Sequence, residues 1–370
     1  MKKALSVFLA FVIAITASAC SDTEPSSTDS SSDSVSSAIE STDGESTDNE
    51  SSGSQDSENS GDVSDDIPDV EGGFSVSGTK LLDANCNEFV FRGINHAHTW
   101  FKDQLDVALP AIAATGANSV RIVLSDGGQW TKDGAASVKN IIQKCKENKM
   151  IAILEVHDAT GMDDTASLNM AADYWIELAD VLAGTEAYVI VNIANEWFGS
   201  WNNLEAWRDA YIDVLPKLRD AGIKNTILVD SAGWGQCADS VLKYAPDIFN
   251  ADPDANTMFS VHMYGAAGKN EATISRIING AIDLGICLII GEFGYNHSDG
   301  DVDEASIMRI CTETGTGYLG WSWKGNGGGV EYLDLAITWD GIILSSDWGA
   351  VLIKGENGIK ETSKICSVFE

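Results

Sequence analysis

From residue 89 onward the chain alternates short, almost continuously apolar runs with longer amphipathic stretches. The apolar runs are 89–95, 119–124, 150–157, 188–196, 226–230, 259–264, 287–292 and 318–321. Runs of this kind suit parallel strands covered on both faces. Between them, Val138, Ile141, Ile142 and Cys145 share one helical face. So do Ala171, Tyr174, Trp175, Leu178 and Leu182, and later Ile274, Ile277, Ile278, Ala281 and Ile282. Residues near successive strand ends lie 29, 33, 39, 34, 34, 28 and 29 positions apart. Eight strand-plus-helix units of that size predict an α/β fold, a (β/α)8 TIM barrel forming a single catalytic domain. A doubly wound open sheet would show a Gly-rich phosphate turn after its first strand. Arg92-Gly-Ile-Asn95 is not one.

The first 73 residues read differently. Lys2 and Lys3 precede an apolar stretch from Leu5 to Ile15, and the small residues Ala17-Ser-Ala19 lead to Cys20. Residues 1–19 are therefore expected to be a secretory signal peptide. Cys20 is the expected lipidation site, although Ala17 stands where a lipobox more often has Leu. Residues 21–70 hold 17 Ser and 15 Asp or Glu, with no Lys, Arg, Trp, Phe or Tyr. Such a composition cannot bury enough apolar surface to offset its chain entropy. Residues 20–73 are thus expected to be a lipidated Cys and a disordered linker, ahead of a catalytic barrel at 74–370. This places the domain outside the cell, at its surface or secreted, touching the membrane only through the anchor.

Charge narrows the partners. The 370 residues carry 23 Lys plus Arg and 56 Asp plus Glu, a net charge of −33. A strongly acidic protein is repelled by nucleic acid and by an anionic membrane surface. Of the seven Cys, the six after Cys20 include two, Cys145 and Cys287, that read as small buried hydrophobes. Mostly free thiols are expected. No CxxC pair suggests a metal, no EF-hand spacing suggests Ca²⁺, no cofactor is expected, and the expected state is a monomer.

In barrels of this type the C-terminal strand ends build the active site, and here those ends are rich in polar and aromatic residues. His96, His98 and Trp100 follow the first strand. Arg121 lies on the second, which Asp126, Gln129 and Trp130 follow. The third ends in Glu155 and His157, the fourth in Asn195-Glu-Trp197, with Trp201 beyond. Trp234 follows the fifth; His262 and Tyr264 end the sixth. Glu292, with Tyr295 and His297 beyond, ends the seventh, and Trp321, Trp323 and Lys324 end the eighth. Two Glu, at 196 and 292, ringed by such residues are the equipment of a glycosidase: one carboxylic acid protonates the leaving oxygen and one carboxylate attacks the anomeric carbon. Tryptophan suits the C–H faces of a neutral sugar polymer. Two rival readings share some of these features. His96-Ala-His98 is similar to the HxH of metal-dependent amidohydrolases, and an acylated, tethered domain would also suit a non-enzymatic oligosaccharide-capturing lipoprotein. The former wants ligands that the other strands lack; the latter wants two hinged lobes.

Ile193-Ala-Asn-Glu-Trp197 and Ile290-Gly-Glu-Phe-Gly294 resemble the two catalytic segments of glycoside hydrolase family 5, in clan A. The chain is most similar to its bacterial endo-β-1,4-mannanase branch, especially that of alkaliphilic bacilli. Arg92-Gly-Ile-Asn-His-Ala-His98, Arg121-Ile-Val-Leu-Ser-Asp-Gly-Gly-Gln-Trp130, Glu155-Val-His-Asp-Ala-Thr-Gly161, Asp230-Ser-Ala-Gly-Trp-Gly-Gln236, Val261-His-Met-Tyr264 and Trp321-Ser-Trp-Lys-Gly-Asn326 add to the likeness, which runs over about residues 74 to 369. It implies a retaining endo-hydrolase of β-mannan, a neutral plant polysaccharide, with endo-β-1,4-glucanase as the alternative. Glu196 would be acid/base and Glu292 nucleophile. Arg121 would bind Glu292 and help keep it ionised. Asn195 would hold the sugar 2-hydroxyl, Tyr264 would orient Glu292, His262 would set the proton state of Glu196, and His157 would line the floor. Trp321 would be the stacking platform; Trp323, two residues on, would either take that place or pack outside it; His96, His98 and Trp130 are expected in the cleft. The two carboxyl groups should stand about 5–5.5 Å apart. The Gly-rich loop Asn326-Gly-Gly-Gly-Val330 departs from the family pattern and is expected to bear on the plus-side subsites.

Overall fold

The computed structural model describes residues 72–370. The expected signal peptide, Cys20 and nearly all of the expected linker lie outside the described residues. Eight parallel strands close into a barrel: Arg92–His96, Ser119–Leu124, Ile151–Val156, Val189–Asn192, Ile227–Asp230, Thr257–Met263, Leu288–Phe293 and Gly317–Gly320. The eighth strand returns to the first, Tyr318 pairing with Arg92. Every residue of the eight strands is buried. That is why they read as unbroken apolar runs rather than alternating ones.

Helices cover the outside, among them Ala135–Glu147, Thr165–Glu177, Leu204–Asp220, Glu271–Asp283 and Glu304–Thr314. Short acceptor side chains start several of them. Asp164 caps the amide of Ser167, Asn270 that of Thr273, and Asp303 that of Ser306, at 2.9, 2.9 and 3.1 Å. A hairpin not anticipated from sequence, Ser75–Ser77 with Lys80–Leu82, sits at the N-terminal end of the barrel. There the carbonyl of Phe74 accepts from Thr226 and Asn256, near the starts of the fifth and sixth strands.

Strand register sets the functional geometry. Arg121 pairs with Asn95, Glu155 with Asn192, and His262 with Glu292. The last pairing follows a bulge, in which the sixth strand runs from Val261 to His262 while the seventh runs from Ile290 to Glu292. The extra residue is Gly291, whose place leaves no room for a Cβ: one would come within 2.3 Å of Ser260 Oγ. The fourth strand stops at Asn192, four residues short of the expected Glu196. The chain there turns out of the ladder, and Glu196 takes a left-handed φ of +44°.

The expectation of free thiols agrees with the fold. Cys145, Cys237, Cys287, Cys311 and Cys366 are buried and unpaired, and Cys86 is exposed. Burial pushes the thiols of Cys145, Cys287, Cys311 and Cys366 up to about 12, so thiolate is scarce at neutral pH. Alkylation of the native protein, read by peptide mapping, should therefore modify Cys86 and leave these five untouched until denaturant is added. Equal native labelling at any of the five would contradict the packing.

Candidate active site

Arg121 occupies the centre of the barrel with no exposed surface. Its Nη1 donates to Glu292 Oε1 at 2.7 Å and to Asn95 Oδ1 at 3.1 Å. Its Nη2 donates to Asn195 Oδ1 at 2.7 Å and Asp230 Oδ2 at 3.4 Å, and its Nε to Asn192 Oδ1 at 3.0 Å. Glu155 Oε1 stands 3.6 Å away. Burial works against the guanidinium charge, but the carboxylates of Glu155, Glu292, Asp230 and Glu196 outweigh it and hold the group firmly protonated.

Above this cation the two glutamates diverge. Glu292 receives Arg121 on one oxygen and the hydroxyl of Tyr264 on the other, at 2.9 Å. Burial is the strongest influence on it and pushes its carboxyl above the ordinary value; the cations of His262 and Arg121 oppose that, and Glu196 reinforces it. Glu196 instead meets His262 Nδ1 at 2.7 Å. His262 would lose its charge through burial alone, but Glu292, Asp230 and Glu196 reverse this and raise its pKa to about 9. The neighbouring charges thus favour the protonated ring, with a proton between His262 Nδ1 and the Glu196 carboxyl. One ligand atom from each of Glu196, His262 and Glu292 lies within 4.8 Å of the others. This is the one such donor cluster among the described residues.

The cleft over these groups has a volume of about 590 Å³. Of the residues expected there, His157, Asn195, Glu196, Tyr264, Glu292 and Trp321 line it. His157 is held by Glu155 Oε1 at 2.9 Å and lies nearly parallel to Trp321, with centroids 6.0 Å apart. Asn195 is gripped at both ends, by Arg121 and by Thr160 Oγ1 at 2.9 Å; its Nδ2 keeps a second hydrogen. Trp130 stands edge-on to Trp100, with centroids 5.2 Å apart, and 5.9 Å from His157. It flanks the cleft and does not line it.

The structure decides between the alternatives for Trp323 and corrects the placement of His96 and His98. Trp323 is fully buried, its indole donating to Trp339 O at 2.9 Å; it packs beneath the rim and cannot be the platform. His96 and His98 are buried outside the cleft. Burial lowers the pKa of His96 to about 3, with His98 adding to it, and the chain leaves the strand at Ala97, so the two rings do not form an HxH metal face. The loop after the eighth strand begins at Asn326, which accepts the indole N–H of Trp321 at 3.0 Å and is itself held by Asp334.

Other residues were not given roles from sequence. Asn192 and Asp230 are single polar residues closing apolar strands, and that interruption was their available signal. Trp201 and Trp234 line the cleft about half exposed, at 48% and 50%. The ring of Trp234 lies on Gly161 and Gly199, where a Cβ would approach it to 2.3 and 2.9 Å. Gln236, His297 and Asp299 complete that wall. Asp299 accepts from Gln236 at 3.0 Å and contacts His297, whose ring stacks on Tyr264 with centroids 4.5 Å apart.

Comparison with known proteins agrees with this arrangement. The family model described as Cellulase (glycosyl hydrolase family 5) matches residues 82–327. The chain is 55% identical over 297 residues to the mannan endo-1,4-beta-mannosidase of Salipaludibacillus agaradhaerens, a match covering 80% of this chain and 96% of that protein. It is 45% identical over 302 residues to the enzyme of the same name from Streptomyces lividans, covering 80% and 78%. Among solved structures, the mannohexaose complex of Thermomonospora fusca beta-mannanase superposes with a TM-score of 0.76 at 41% identity, covering 80% of this chain and 99% of that one.

The raised pKa of His262 carries a sign. Its stabilisation is complete below the unfolded value near 6.5 and is lost as pH climbs through the folded value of about 9. The melting temperature should fall across that window, and His262→Gln should flatten the fall. An unchanged slope in the variant would place the charge elsewhere.

Proposed function

The chain belongs to glycosyl hydrolase family 5 and is a glycoside hydrolase; from that premise we propose that it cleaves internal β-1,4-mannosidic bonds of mannan, glucomannan or galactomannan with retention of configuration. The observation that carries the mechanism is the contrast between two neighbouring carboxyl groups. Glu292 is clamped through both oxygens by Arg121 and Tyr264. Glu196 has only the His262 contact and is the more exposed, its side chain 12% accessible against 5%. One oxygen of each lies within 4.8 Å of the other, so the two groups share one stretch of the cleft.

In the first step a Glu292 oxygen attacks C1 while Glu196 gives the glycosidic oxygen the proton that it shares with His262. The C1–O bond to the departing chain breaks as the bond to Glu292 forms. In the second step Glu196, now a carboxylate, takes a proton from water, whose oxygen displaces Glu292 from C1. Arg121 and Tyr264 fix the nucleophile in its attacking orientation. The spare amide hydrogen of Asn195 points its chemistry at the sugar 2-hydroxyl, and Trp321, tied back by Asn326, offers an indole face to the −1 ring. Substrate choice follows the names of the close relatives, which are mannan hydrolases. An acylated Cys20 with its acidic tether would hold the barrel, as a monomer, outside the cell beside a neutral polymer; sequence composition supports that placement.

Replacing either glutamate with Ala should lower kcat/KM on mannan by about a thousandfold or more. Azide should restore turnover to Glu292→Ala with inverted product, read by the anomeric signals in proton NMR. Near-normal activity in either variant would refute the assignment. Parallel digestion of mannan, galactomannan, glucomannan and carboxymethyl-cellulose should release reducing ends from the first three, and preference for the last would make the enzyme a glucanase.

A further inference from the structure

Asp230 closes the fifth strand, is fully buried, and does not line the cleft. Its Oδ2 accepts the main-chain N–H of Glu196 at 3.1 Å. The same oxygen lies 3.6 Å from His262 Nε2, a buried nitrogen with no hydrogen-bond partner of its own, and 3.4 Å from Arg121 Nη2. Asn192 Nδ2 steadies the other oxygen at 3.3 Å, and the Trp207 indole binds the main-chain carbonyl at 3.1 Å.

Two features of Glu196 call for such a partner. Its left-handed φ of +44° is disfavoured for a residue with a Cβ and persists only when neighbours over-determine it. Its carboxyl depends on His262, whose ring is wedged against the turn that follows Asp230. The amide of His262 donates to Gly235 O at 2.7 Å, and a Cβ at Gly235 would come within 2.7 Å of the imidazole. Asp230 therefore meets Glu196 at both ends, directly at the backbone and through His262 at the carboxyl.

We propose that Asp230 is a positioning residue for proton delivery: one buried carboxylate fixes the left-handed turn that carries Glu196 and the imidazole that carries its carboxyl. The proposal rests on the reading of Glu196 as acid/base. A residue serving only as a counter-ion to Arg121 would disturb the nucleophile as much as the acid, and the loss would not depend on the leaving group.

Leaving-group dependence separates these cases, because a dinitrophenolate departs without a proton and a phenolate departs poorly without one. The assay compares kcat/KM for 2,4-dinitrophenyl and phenyl β-mannobiosides in wild type, Glu196→Ala, Asp230→Asn and Asp230→Glu, each corrected for folded protein by near-ultraviolet circular dichroism. Glu196→Ala should lose activity on the phenyl substrate at least about a hundredfold more than on the dinitrophenyl one. Asp230→Asn, which keeps an acceptor but removes the charge, should show the same selectivity at about tenfold or more. Asp230→Glu, which keeps the charge but misplaces it, should follow in the same direction and serves where Asp230→Asn does not fold. Equal losses on both substrates in the Asp230 variants, with Glu196→Ala selective, would overturn the role of Asp230 alone. A Glu196→Ala variant without selectivity would overturn the acid/base reading itself.

Discussion

A single guanidinium, sealed in the middle of the barrel, organises the catalytic end of this molecule. Arg121 contacts side chains from the first, third, fifth and seventh strands, and from the fourth strand and its exit loop. Burying one cation in such a place is unfavourable unless counter-charges and acceptors surround it. Burying this many carboxyl groups around it would be no more favourable without the cation. Each half of the arrangement justifies the other, and closure of the barrel brings them together.

From that centre the charges alternate outward. Arg121 is followed by Glu292 and Asp230, these by the His262 cation, and His262 by Glu196. Alternation of this kind lets two carboxyl groups a few ångströms apart adopt different chemistry. The one next to the fixed cation is bound through both oxygens and cannot turn. The one next to the titratable cation has a single polar tie and faces the cleft. On the proposed mechanism, nucleophile and proton donor are thereby distinguished by their partners, since their residue type is the same.

Much of this was legible in the residues. Apolar runs repeating about every 30 positions gave eight buried strands because both faces of each are covered, and polar residues at their ends gave the cleft. What escaped was where the chain leaves the ladder. Nothing in Ile193-Ala-Asn-Glu196 announces the left-handed turn that lifts Glu196 off its strand. Trp323 and Trp321 are two residues apart and chemically identical, and only the packing around Trp339 decides that one is buried while the other lines the cleft. His96 and His98 showed ligand-like spacing on a strand that in fact ends between them. Asp230 lay inside a recognisable segment but works on a residue 34 positions earlier, a relation that exists only after the fourth and fifth strands lie side by side.

The wall built on Trp234 has an implication for how such a cleft can diversify. Its ring lies where side chains at Gly161 and Gly199 would otherwise be, on loops after the third and fourth strands, while the ring itself comes from the fifth. Three loops therefore share one volume, and none can gain a side chain there without displacing the indole. Loss of the tryptophan alone would not free the two glycines: Gly161 holds a φ of +71°, and a Cβ at Gly199 would also come within 2.5 Å of the Gly161 carbonyl oxygen. Variation in this wall should therefore begin at the ring, with the glycines held by backbone as well as by the indole.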